Sequence, residues 1–407
     1  NPACKIDDQS PRKKKQQSHK IRLVVWPFRC PNSASPYIPL ADKLGESLSS
    51  SLTSFHNFGV ISYTVAKQFF NQWKSLLDLN QTLKPHYVLT GRIDTLPGDM
   101  NISVEMIDCT KGYQLWTKTF DLNAGINDSH LLIERIVREI IGIVGGMTGL
   151  VARMQDMPST ALFDNVSPDT AMIMYQKAFQ LIPTEQMFNK VTKALSQALE
   201  LEPMHVTLYA MLAETYLTAY AFGFLKDIDL LHKCEILVYK ALLLDNTNQF
   251  VRAVEAFLLF FQKDYDLAAK AFATAIEINP NDTFLVGLCG YGLALLGDFA
   301  NGLNILNNVS ELNPYLPKYL YLPYYLNHLR HKEYEEALRH TKKFCIPGFF
   351  WCSLLKIVAL VLLNQIDEAH KEYENMLQIM PDFIETGSFY IELLIIPKDL
   401  RELFYSA

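Results

Sequence analysis

Apolar residues recur along the C-terminal part of the chain with the spacing of one α-helix face. In "DYDLAAKAFATAIEINPND" (264–282), Ala268, Phe272 and Ala275 stand four and then three apart, and Pro280 follows. Proline lacks the N–H that a continuing helix needs, so the helix is predicted to stop there. The same shape returns with Gly302, Leu306, Val309 and Pro314, with Ala369, Tyr373, Met376 and Pro381, and with Ala198 and Pro203. Pro280 and Pro314 are 34 residues apart, and Pro314 and Pro381 are 67 apart, about two such periods. Between the latter pair, "KEYEEALRHTKKFCIPGFF" (332–350) supplies a further copy with Ala337, Phe344 and a displaced Pro347. From Pro203 to Pro280 is 77 residues, which predicts one diverged copy and an insertion.

Each such helix needs a partner carrying a small residue where the two cross. Gly290, Ala213 and Ala256 occupy that place, with Gly297 at the turn after Gly290. A helix–turn–helix unit of about 34 residues is the tetratricopeptide period. Over residues 185–385 the chain resembles that repeat family.

The first 150 residues alternate differently. "IRLVVWPF" (21–28) and "FGVISY" (58–63) read as strands. "HYVLTGRIDTLPGDMNISVEMIDCTKGYQLWTKTFDL" (86–122) reads as three strands separated by turns at "PGDMN" and "TKG". Helices are predicted over 37–55, where Leu40, Leu44, Leu48 and Leu52 share a face, over 66–81, and over 129–146, which ends at paired glycines. The predicted fold class is an α/β N-terminal domain, a mixed sheet with helices, followed by an all-α tetratricopeptide-repeat superhelix. The expected divisions are a linker at 1–20, the α/β domain at 21–150, connecting helices at 151–184, the solenoid at 185–385 and a C-terminal capping segment at 386–407.

Charge changes the picture in one respect. The net charge is −6, but the first twenty residues hold six Lys or Arg against two Asp, so the rest carries −10. An acidic body is a poor binder of phosphate backbones. The run Arg12–Lys15 is a solvated linker segment or a contact to nucleic acid or a membrane surface. Seven scattered cysteines without a CxxC pair imply reduced thiols and a cytoplasmic setting, the alternative being periplasmic if a membrane span lies upstream. "LLKIVALVLLN" (354–364) is too short to span a membrane and contains Lys356, so a buried repeat helix is expected. The chain begins at Asn1 rather than Met and reads as a fragment.

The search for reactive chemistry finds no GxSxG, HExxH or Walker motif. "GYGLALLG" (290–297) lies inside a repeat rather than after a strand. His328 and His331 read as a polar helix end, Asp227 and Asp229 as a helix start, and Asp108 as the cap of the "CTKG" turn. No catalytic, cofactor-binding or metal-binding residue is expected. The candidate site is instead the concave groove of the superhelix, expected to present Glu214, Phe257, Tyr291, Lys318, Tyr321, Tyr325 and His328. The last four are spaced three, four and three and are predicted to share one helix face, although each ring has inter-repeat core as its alternative place. Such a groove takes a protein partner or a second copy of the chain, and Tyr321→Ala with Tyr325→Ala is expected to weaken that contact while leaving helical content intact.

A second resemblance rests on Pro27, Phe28, Tyr87, Val88, Leu89, Gly91, Ile107, Asp108, Thr110, Gly112, Leu115, Trp116 and Asp121. These resemble the TolB-N-like domain that precedes tetratricopeptide repeats in several bacterial signalling proteins, and "NVSPDTAMIMYQKAFQL" (165–181) resembles the helix that leads into the repeats there. The layout is similar to that of HilA-like and CadC-like transcription regulators, and the lack of a membrane-spanning run points to the HilA-like arrangement. The resemblance implies a non-catalytic regulatory and interaction region of a bacterial virulence-type regulator, with DNA contacted only through a winged helix missing upstream. The alternatives are an accessory region of a signalling enzyme such as a nucleotide cyclase, or a sensor holding a small-molecule effector between the α/β domain and the first repeats. Trp26 departs from the small aliphatic residue usual before Pro27.

Overall fold

The computed structural model describes residues 20–30, 36–70, 76–96, 99–121, 129–155, 166–180, 184–224, 229–345 and 348–407. Arg12–Lys15, Asp227 and Pro347 lie outside these residues. Five strands form one sheet: β1 (Ile21–Val25), β2 (Phe58–Ile61), β3 (Tyr87–Leu96), β4 (Asp99–Asp108) and β5 (Tyr113–Asp121), in the order β2-β1-β3-β4-β5. β1 runs parallel to both β2 and β3, and β3, β4 and β5 are antiparallel. Parallel neighbours need a crossover. It is supplied by α1 (Ile38–Leu52) between β1 and β2, and by α2 (Tyr63–Phe70) and α3 (Leu76–Thr82) between β2 and β3. The helix predicted over 66–81 corresponds to α2 and α3, with residues 71–75 between them outside the described residues.

Alternation along β1 decides the two faces. Leu23 and Val25 join the core under α1 and α4 (Ser129–Val144), with Leu44, Leu48, Leu52, Ile136 and Ile140. Val24 points the other way, to Ala66 and Leu79. Asp108 caps the β4–β5 turn as predicted: its Oδ1 accepts from Thr110 N (2.8 Å), Thr110 Oγ1 (2.6 Å) and Lys111 N (3.0 Å), and Gly112 follows with φ 72°. Burial pushes this carboxyl up, but those hydrogen bonds outweigh it and hold it below the usual carboxylate range.

After α5 (Leu150–Met154) the described residues form successive helical hairpins. They pair α6 (Pro168–Gln180) with α7 (Glu185–Leu201), α8 (Val206–Ala221) with α9 (Leu230–Leu244), and α10 (Gln249–Phe261) with α11 (Tyr265–Ile278). Next come α12 (Thr283–Leu295) with α13 (Phe299–Leu312), α14 (Leu322–Arg330) with α15 (Tyr334–Phe344), and α16 (Phe350–Leu362) with α17 (Ile366–Ile379). α18 (Phe383–Leu394) and α19 (Lys398–Ser406) end the chain. This is a tetratricopeptide-type superhelix following a mixed-sheet domain. α6, expected among the connecting helices, packs on α7 as the first hairpin. The α8–α9 hairpin is the diverged copy.

The repeat also has a register at its caps. Asn248 and Asp282, one period apart, each accept from two following backbone N–H groups at the starts of α10 and α12. The first helix of several hairpins ends on a residue with positive φ: Lys263 (66°), Gly297 (103°), Lys332 (60°) and Asn364 (60°). Gly290 and Gly302 let α12 and α13 cross closely. A Cβ on Gly302 would stand 2.6 Å from Gly290 O and 2.8 Å from Ala294 N, which are backbone atoms that cannot swing aside. Gly302→Val is accordingly expected to cost about 1–3 kcal/mol by overpacking. Thermal unfolding followed by circular dichroism should show the midpoint falling by several degrees, and an unchanged midpoint would refute the close crossing.

The two layers of the superhelix differ in polarity. α8, α10, α12 and α16 have no exposed position, whereas α9, α11, α13, α15 and α17 keep an exposed face, which on α9 includes Ile236, Tyr239 and Leu243. The inner layer is covered because the array closes on itself. Tyr220 on α8 meets Phe389 on α18 at 5.7 Å, and Trp351 Nε1 donates to Ala221 O (3.2 Å). The segment expected only to cap the end thus packs back against the second hairpin.

The α/β domain docks on the loops that link the hairpins. Thr283 Oγ1 donates to Gly142 O on α4 (3.0 Å) and accepts from Asn313 Nδ2 (2.9 Å). Arg153 stacks over Tyr315 at 4.8 Å. Asp282 is buried beside Gly146; burial pushes its carboxyl up to about 6, against the two backbone hydrogen bonds it accepts. No helix among the described residues is long and apolar enough to cross a membrane.

Candidate functional site

A cavity of about 90 Å³, open on one side, lies between the early hairpins and the end of α18. α8 contributes Glu214, Leu217, Thr218 and Ala221, which share a face because they fall three or four apart. α10 adds Phe257 and Phe261, α12 adds Leu288 and Tyr291, α6 and α7 add Phe179 and Phe188, and α18 adds Leu394. Phe257 and Tyr291 are one repeat apart and their ring centroids lie 6.4 Å apart; Tyr291 meets Tyr319 edge-on at 6.0 Å. Repetition of the aromatic position from hairpin to hairpin builds the wall.

Glu214 is the acidic exception in this apolar chamber, and 6% of it is exposed. Its Oε2 accepts from Tyr175 Oη (3.0 Å) and its Oε1 from Thr218 Oγ1 (3.3 Å). Burial pushes its carboxyl up to about 8, and the two hydrogen bonds oppose that only in part. The nearby carboxyl in turn helps hold the Tyr175 and Tyr319 hydroxyls above the ordinary phenol range, where burial is the larger cause. The chamber can therefore hold an apolar body and offer one carboxyl group to it.

Of the expected groove residues, Glu214, Phe257 and Tyr291 come together here. Tyr319 joins them, although the sequence reading passed over it. Lys318, Tyr321, Tyr325 and His328 do not share a helix face. Lys318–Tyr321 is a 3-10 turn after Pro317, and α14 starts only at Leu322 with Pro323 in its first turn. Tyr325 is fully buried and donates to Leu355 O (2.6 Å), so it is core rather than groove. His328 Nδ1 lies 2.6 Å from Glu333 Oε2, and His331 Nδ1 lies 2.8 Å from Asn327 O. The two histidines thus serve the polar end of α14. An open peptide trough is replaced by a filled interior, because α18 returns to cover the inner helices.

A second concavity of about 630 Å³ lies over the uncovered face of β3–β5. Thr90, Ser103, Glu105, Thr117 and Thr119 line it, the polar alternation of a solvated sheet face. Among the described residues, no group of three or more His, Cys, Asp or Glu converges on a metal-sized site.

Comparison with known proteins finds similarity in the sheet domain and across the chain. Residues 18–139 match the family model described as the HilA/YgeH-like transcriptional regulator, second domain. The transcriptional regulator HilA of Salmonella typhimurium is 21% identical over 295 residues, which is 72% of this chain and 51% of that protein. HilA of Salmonella typhi matches to the same extent. The chain spans about half the length of the curated relatives it matches. Among solved structures, Pseudomonas aeruginosa pilF is 18% identical, with 55% of this chain and 96% of that chain covered and a TM-score of 0.35. A lipoprotein from Neisseria meningitidis is also 18% identical, covering 30% of this chain and 96% of its own, with a TM-score of 0.23.

Proposed function

We propose that this chain is the non-catalytic regulatory region of a HilA-like bacterial transcription regulator. The observation that carries the reading is the match of residues 18–139 to the second domain of that regulator family, on the stretch that forms the mixed sheet. The acidic body supports assigning DNA contact to a winged-helix module outside these residues, as does coverage of about half of the relatives' length. The repeats then act by mass action: whatever binds one arrangement of sheet domain and superhelix more tightly shifts the population of active regulator. Protein contacts, including contacts to a second copy, fall to the outward faces of the repeats. Fluorescence anisotropy with duplex DNA tests the division of labour. The chain alone is expected to show no preference among sequences, and tight binding to one duplex over others would overturn it.

A second reading, small-molecule sensing, is favoured by one feature. The inner helices keep a small aromatic chamber with a buried carboxyl group, rather than the long trough a peptide needs. The ligand would sit inside the superhelix, not between the sheet domain and the first repeats.

A further inference from the structure

We propose that the chamber beside Glu214 binds a small organic monocation, an ammonium head on a short apolar body. The proposal rests on the small-molecule reading above and names the ligand class for it. A buried carboxylate is ordinarily matched by a cation or by several strong hydrogen bonds. Glu214 has one hydroxyl at 3.0 Å and another at 3.3 Å, both neutral. No Lys, Arg or His is among the described residues that line the chamber. The wall therefore supplies no countercharge, and the carboxyl stays protonated until a cation enters.

The wall is nevertheless suited to a cation. Phe179, Phe188, Phe257, Phe261, Tyr291 and Tyr319 surround the space. The face of each ring carries the negative part of its quadrupole, which attracts an ammonium group. A cavity of about 90 Å³ is several times what one water molecule needs, roughly 10–15 Å³. A single carboxylate neutralises a single charge, so a second ammonium group on the ligand would be stranded among rings. That restricts the class to monocations.

Binding also has a proton signature. The groups that face Glu214 are Thr218 on its own helix, Tyr175 from α6 and the phenol of Tyr319 from the 3-10 turn, with Tyr291 from α12 elsewhere on the lining. None of these is cationic. Without ligand the carboxyl keeps its proton to about pH 8. Entry of a permanent cation expels that proton, so binding strengthens as pH rises through this range.

Titration calorimetry of the whole chain with choline and with 3,3-dimethyl-1-butanol tests the proposal. The two probes share a shape and differ by one positive charge. Choline is expected to bind at one site at least tenfold more tightly than the alcohol. Its apparent affinity should rise about tenfold between pH 7 and pH 9. Close to one proton should be released per choline at pH 7, read by comparing buffers of different ionisation enthalpy. Glu214→Gln should lower choline affinity at least tenfold with helical content unchanged. If that variant does not fold, the proton release by the unaltered protein decides. Equal binding of choline and the alcohol, binding without proton release, or no binding of either choline or the smaller tetramethylammonium would overturn the proposal. The transcription-regulator reading is scored by transcripts rather than by this titration, so the two fail separately.

Discussion

Replacing Glu214 with Gln is expected to remove about 3 kcal/mol of pH-dependent destabilisation between pH 5.5 and pH 8. The carboxyl sits near 4.5 in the unfolded chain and is pushed up to about 8 in the folded one, chiefly by burial. Between those values the folded protein holds a proton that the unfolded chain has released. Stability therefore falls as pH rises through the window. Below pH 4.5 both states are protonated and the full contribution is present. Glu214→Gln keeps the shape and cannot ionise, so its stability should fall less steeply with pH than that of the unaltered protein. Urea unfolding at a series of pH values checks this. Parallel stability profiles would mean that the carboxyl is not buried as described.

Tyr325→Ala is expected to cost about 3–5 kcal/mol, the range for truncating a large ring in a packed core. Tyr325 is fully buried, and its hydroxyl satisfies Leu355 O between α14 and α16. Truncation opens a cavity and removes the second hydrogen bond that the Leu355 carbonyl accepts beside its helical one. Tyr321 is half-buried and ends the 3-10 turn, so Tyr321→Ala should cost much less. Denaturant midpoints of the two single variants would separate core from groove. Equal, small losses would return Tyr325 to an exposed face.

These two residues also show where the sequence was legible. Alternation in 21–28 and 86–122 carried enough information for the strands, because a sheet with two different faces must alternate. The 34-residue period placed the hairpins because each repeat buries the same small and large positions against its neighbour. The face of Lys318, Tyr321, Tyr325 and His328 was misread because spacing alone assumes an uninterrupted helix. Pro317 and Pro323 flank the segment, and a proline fits a helix start but not a helix interior.

Closure of the superhelix left a subtler trace. α12, "TFLVGLCGYGLAL", carries no charge on any side, and a helix apolar all round is buried all round. The lone acid in "LYAMLAETYL" was likewise visible as an oddity. What surrounds it was not, since Tyr175 lies 39 residues upstream and Tyr319 on a later turn of the array. The closure joins residues far apart in sequence: α18 meets α8 through Phe389 and Tyr220, and the bond from Trp351 on α16 to Ala221 on α8 spans 130 residues. No local pattern encodes that distance; it follows from the accumulated rotation of successive hairpins.

The account as a whole turns on the claim that this region governs transcription through its repeat interior. Transcript profiling in the organism that carries the gene, comparing the intact gene, its deletion and a folded Phe257→Ala/Tyr291→Ala variant, measures that claim most directly. The deletion is expected to change a defined set of transcripts, and the variant is expected to change the same set in the same direction. Unchanged transcripts in the deletion strain would contradict the regulatory reading, and a variant indistinguishable from the intact gene would contradict the part given to the repeat interior.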